Sequence, residues 1–128
     1  SFNFTNLVFG WPNNINSTVI NDYAREDLKF MFYVPNYFLN GSELWSDYQD
    51  RWDAVVPKYK LLAQQGKLAG FSVGDEVMSQ SNPTLDIVHT MVNTIRASFP
   101  RGSPGSAIWW NENNGWISSR SSNMVLIY

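Results

Sequence analysis

The strongest constraint on what this chain can fold into is an alternation. Short apolar runs of strand length are separated by longer stretches with helical periodicity. The runs lie at residues 7–11, 28–34, 68–73, 107–110 and 124–128. The second is almost unbroken, as expected of a strand buried on both faces, and Pro35 stops it. Between the runs, residues 17–27 read as a helix capped by Asn16 or Ser17. Residues 44–65 place Trp45, Tyr48, Trp52, Val55, Val56, Tyr59 and Leu62 at three- and four-residue spacings, with Pro57 expected to kink or divide the helix and Gly66 to end it. After Asn82-Pro83, the residues Leu85, Val88, Val92, Ile95 and Phe99 form one apolar stripe. Strand, helix and strand in repetition predict an α/β fold with parallel strands covered by crossover helices.

The 128 residues are 44% hydrophobic and 16% charged, which fits one globular domain. The expectation is a single α/β domain over residues 1–128, or a fragment of a larger one, because the chain opens on Ser1 and closes inside the apolar run that ends at Tyr128. A formal charge of −2 supplies no basic field for phosphate backbones, so no nucleic-acid partner is expected. No run approaches the roughly 20 apolar residues that span a bilayer, so no membrane partner is expected either. With no cysteine, disulfides and thiolate metal sites are excluded. Sequons at Asn3, Asn16 and Asn40 point to a secreted, extracellular glycoprotein.

In parallel α/β folds, ligands are met at the carboxyl ends of the strands. That rule selects Trp11, Asn13 and Asn14 after the first run, Asn36 and Tyr37 after the second, Asp75 and Glu76 after the third, and Asn111, Glu112 and Asn114 after the fourth. Amides and carboxylates bind hydroxyls, and aromatic faces cover the apolar side of a sugar ring, so a carbohydrate is the expected partner. Trp11, Asn13, Asn36, Tyr37, Trp110 and Asn111 are the candidate contacts. Glycoside cleavage needs two carboxyl groups, one to protonate the leaving oxygen and one to act as nucleophile or base.

Strict strand alternation puts Gly70, Ser72, Gly74 and Glu76 on one face and Ala69, Phe71, Val73 and Asp75 on the other. The small first set suits a crowded interior, which makes Glu76 the candidate acid and Asp75 its orienting neighbour or a turn cap. Glu112, in phase with Ile108 and Trp110, suits either a second carboxylate or a helix-start acid. His89 falls with Asn93 and Arg96 opposite the apolar stripe, as a solvated-face residue does. The chain has no G-x-G-x-x-G, P-loop, G-x-S-x-G or H-E-x-x-H pattern, so no cofactor and no metal is expected.

The run from Leu68 to Glu76, ending Gly74-Asp75-Glu76, resembles the fourth strand of glycoside-hydrolase-like (β/α)8 TIM barrels, whose Gly-Asp-Glu or Asn-Glu ending carries the acid/base glutamate. Ile108-Trp109-Trp110-Asn111-Glu112 looks like the fifth strand of the same barrel. The resemblance implies a partial barrel covering about strands two to six, hydrolysis of O-glycosidic bonds, and Glu76 as general acid/base. Many such enzymes have Asn where this chain has Asp75. Their nucleophile sits on the seventh strand, so the resemblance also implies a homo-oligomer or a remainder of the barrel to complete the site. The competing readings are a non-catalytic, lectin-like carbohydrate-binding protein, an inactive barrel fragment, and an open doubly wound five-stranded sheet serving as a binding module.

Overall fold

The computed structural model describes residues 7–10, 28–75, 85–112 and 123–127. The expected helix over residues 17–27 lies outside them. In chain order the elements are β1 (Leu7–Gly10), β2 (Lys29–Tyr33), α1 (Pro35–Phe38), β3 (Leu39–Asn40), β4 (Glu43–Leu44), α2 (Tyr48–Gln64), β5 (Leu68–Asp75), α3 (Leu85–Ser98), β6 (Ala107–Glu112) and β7 (Asn123–Ile127). The architecture is mixed α/β. A five-stranded sheet has the order β1-β2-β5-β6-β7, and β3 and β4 form a separate hairpin.

The first four strands of the large sheet are parallel neighbours in chain order. Among the described strands there is no reversal of order, and α2 and α3 both pack on one face, so these elements do not build a doubly wound sheet. The sheet is also open, with β1 and β7 at its edges. The last strand departs from the expected parallel continuation, since β7 runs antiparallel to β6. Ten residues separate Glu112 from Asn123. A parallel return needs a crossover of about a dozen or more, whereas a reversal can be made by a much shorter link.

Between the sheet and its helices lies the main core. Phe30, Phe32, Phe71, Val73 and Ile108 of the strands meet Trp52, Tyr59 and Leu62 of α2 and Val88, Met91 and Ile95 of α3. Trp52 is fully buried at its centre, with ring centroids 5.4 Å from Phe71, 5.6 Å from Phe38 and 5.9 Å from Tyr59. Each such pair adds roughly 0.5–1.5 kcal/mol beyond the area it buries. The opposite face of the sheet carries a smaller buried group, Met31, Ala69 and Trp109, with Ala107 beside it.

Polar side chains lock the helices to the sheet. Lys60 of α2 donates to the Ser98 carbonyl at the end of α3, and its ammonium lies 4.3 Å from the centroid of the Phe99 ring. This cation satisfies one of the carbonyls a helix leaves open at its carboxyl end. Arg96 donates to the Ser106 carbonyl just before β6. His89 is exposed, as its helical phase predicts.

Pro57 does not divide α2, which runs unbroken from Tyr48 to Gln64. Both Pro57 and Asp53, whose carbonyl loses its amide partner, are exposed, so water can take the place of the missing bond while Trp52 and Tyr59 hold the buried side. The helix begins at Tyr48 rather than near Leu44 as periodicity predicts, and Leu44 belongs to the hairpin over residues 39–44, whose turn contains Asn40-Gly41 with Gly41 at φ +66°, a conformation suited to glycine.

Candidate functional site at the carboxyl edge

Because β1, β2, β5 and β6 are parallel, their carboxyl ends lie along one edge of the sheet. Register then fixes which residues meet there. Tyr33, Ser72 and Trp109 are partners in successive strands, and β7 continues that row with Leu126. Two residues further along β6 toward the edge, Asn111 is the partner of Asp75 and pairs with Met124. Glu112 pairs with Asn123. Trp11, Asn13 and Glu76, together with the sequons at Asn3 and Asn16, lie outside the described residues.

The strict alternation expected of β5 fails twice. Ala69 and Gly70 together oppose Met31, and Val73 and Gly74 together oppose Trp110, each pair marking a bulge with one extra residue. After the first bulge Ala69 belongs with Met31 and Trp109, while Phe71 stays under the helices. The second bulge brings Asp75 into register with Asn111 rather than with Glu112. Both bulges contain a glycine, where the absence of a side chain relaxes the local backbone.

The remaining described candidates do not gather at one place. Trp110 is half-buried against the main core on the helix side, and its indole Nε1 is buried with no hydrogen-bond partner among the described residues. Asn36, in the short α1, is exposed. Tyr37 follows it but turns into the helix layer, where its hydroxyl lies 3.1 Å from that of Tyr59 and its ring is 6.3 Å from Trp52. Asn40 is exposed in the β3–β4 hairpin. Glu112 follows Asn111 at the end of β6 and pairs with Asn123 of β7. Among the described residues, no three His, Cys, Asp or Glu side chains gather closely enough to hold a metal ion. No described helix is long and apolar enough to cross a membrane.

Two residues of this edge escape sequence reasoning. Asn123 reaches it only because β7 runs antiparallel, and the short link before β7 is the signal that could have found it. Ser72 is buried beside its register partner Trp109, and sequence alternation places it on an interior face without giving it a role.

Burial raises the hydroxyl pKa of Tyr37, and burial together with the Tyr37 hydroxyl pushes that of Tyr59 well above the ordinary value of 10.0. The protonated pair therefore contributes its full stability below about pH 10, where both the folded and unfolded chains keep their protons. Above that, the unfolded chain ionises first and stability is lost as pH rises toward the folded pKa values. Tyr59→Phe is expected to cost about 1 kcal/mol at neutral pH through the lost hydrogen bond, and to flatten the alkaline loss. Urea midpoints measured from pH 7 to 11 check this, and an equally steep alkaline decline in the variant would count against it.

No protein-family model, curated protein or solved structure matches the chain.

Proposed function

We propose that the protein acts on the O-glycosidic bonds of a carbohydrate, with Glu76 as general acid/base on a segment of a (β/α)8-type barrel. The observation that supports the reading is the order of the parallel strands. They follow one another in chain order with α2 and α3 on one face, the arrangement whose carboxyl edge carries the chemistry in barrel enzymes, and Glu76 is the next residue in sequence after Asp75 of β5. The reversed β7 is a departure from that plan. The open edges at β1 and β7 suit completion by further chain or by a second copy.

A glutamic acid at this place protonates the leaving glycosidic oxygen and afterwards, as carboxylate, takes a proton from the attacking water. A second carboxylate must work across the sugar from it. In this reading Glu112, at the end of the neighbouring strand β6, or a residue on chain beyond the described strands supplies it.

A second reading draws on one feature of the edge: each carboxyl residue has an amide as its register partner, Asp75 with Asn111 and Glu112 with Asn123. Acid and amide suit hydroxyl binding without bond cleavage, as in a lectin-like protein. A glycan array followed by assay of reducing ends on the best-bound glycan separates the two. Release of reducing sugar is the expected result; binding without release would select the lectin-like reading, and no binding to any glycan would sink both.

A further inference from the structure

The hairpin of β3 and β4 belongs to the connection that leaves the carboxyl end of β2, and its register sorts its side chains. Leu39 and Leu44 are one pair of partners, and both pack against the main core. Asn40 and Glu43 are the next pair. Both are exposed, as alternation along a strand requires once the leucines face the core. At the root of the hairpin the backbone amide of Trp45 donates to the carbonyl of the buried Phe38 at 2.7 Å. Gly41, at φ +66°, and Ser42 fill the turn. The hairpin is thus fixed at its base and open at its tip, and the tip reads Asn40-Gly41-Ser42.

We propose that Asn40 carries an N-linked glycan. The signal for this modification is Asn-X-Ser/Thr with X other than proline, and the folded chain must hold the acceptor where a bulky, hydrated group meets no protein. Of the three sequons, that at Asn40 lies on described residues, and both conditions hold there. Asn36 and Asn93 are exposed as well, but Phe38 and Ile95 stand where the signal needs a hydroxyl.

The co-reactant is an oligosaccharide joined through a pyrophosphate to a lipid. The side-chain nitrogen of Asn40 attacks the anomeric carbon, a C–N bond forms, and the C–O bond to the phosphate breaks. The lipid pyrophosphate leaves with the bonding pair, and the amide gives up one proton to a base of the transferase. Nothing is oxidised or reduced. Such donors are used outside the cytosol, so the modification places the chain on a secretory route. Because the leucines hold the hairpin from its other face, the glycan asks no residue of the main core to move. The inference is independent of the carbohydrate reading of the carboxyl edge.

Peptide mapping of the protein purified from its own organism tests the site. Peptide N-glycosidase in heavy-oxygen water turns a glycosylated asparagine into a labelled aspartate. Trypsin then releases residues 30–51, a peptide in which Asn40 is the sequon and Asn36 an internal control. Label on Asn40 in most copies, with none on Asn36, is the expected result. Ser42→Ala, returned to the same organism, is expected to lose the label, and Ser42→Thr, which keeps the hydroxyl, to retain it. An unlabelled Asn40 in the wild type, or label that persists in Ser42→Ala, would overturn the proposal.

Discussion

Replacing Gly70 by alanine is expected to lower the free energy of unfolding by at least about 3 kcal/mol, a larger loss than overpacking a core with one methyl usually brings. Gly70 lies in the first bulge of β5, opposite Met31 on one side and Ala107 on the other. A Cβ at this position would overlap the carbonyl oxygen of Ala107 and come within 2.6 Å of its carbonyl carbon and 2.9 Å of its Cα. All three are backbone atoms of the neighbouring strand, so no side-chain rotation relieves the clash. Either β5 and β6 separate, or the bulge is lost and the register beyond it slips. A slip of one residue would carry Leu68 or Phe71 to the wrong face and expose part of the main core.

Gly102→Ala provides the control. A Cβ there meets nothing within 4 Å, and the cost comes only from its φ of +83°, about 1 kcal/mol. Urea unfolding of the two variants beside the wild type measures the difference. Equal losses in both would contradict the close approach of β5 to β6.

The same strand shows how far the sequence can be read. Its apolar character and the amphipathic α3 after it both follow from pattern, because Leu68, Phe71, Val88, Ile95 and Phe99 must be buried together whatever the details of pairing. The sequence also points to one edge of the sheet for Asp75, Asn111 and Glu112, and parallel pairing puts their backbones there. The face each residue occupies is not legible by simple alternation. Alternation counts every residue equally, while a bulge inserts one that the partner strand does not match. Glycines within a strand flag such a break, and both breaks in β5 occur where Gly70 and Gly74 stand.

Long-range pairing is harder still. Nothing local in residues 123–127 distinguishes a parallel from an antiparallel strand, since both expose the same backbone groups; only the length of the preceding link bears on it. Tyr37 shows a contact that local sequence does not announce. Its position after β2 suits a ligand contact, and Trp52 and Tyr59, far along the chain, also hold it against the helix layer. The Asn40-Gly41 hairpin carries its own signal, masked by the aromatic periodicity that starts at Leu44.

If Glu76 transfers a proton at the carboxyl edge, the substitution Glu76→Gln removes that step with little change of shape. Glutamine keeps the length and hydrogen-bonding reach of the side chain but cannot give up or take a proton at catalytic rates. Positioned general acids contribute roughly a hundredfold to ten-thousandfold to a reaction, so the loss should be at least a hundredfold. The measurement is initial-rate release of reducing sugar by the wild type and by Glu76→Gln, on the glycan the protein binds best, with binding of that glycan titrated alongside. Binding is expected to be unchanged and the rate reduced by at least about a hundredfold. Wild-type turnover in Glu76→Gln would exclude Glu76 as the acid/base.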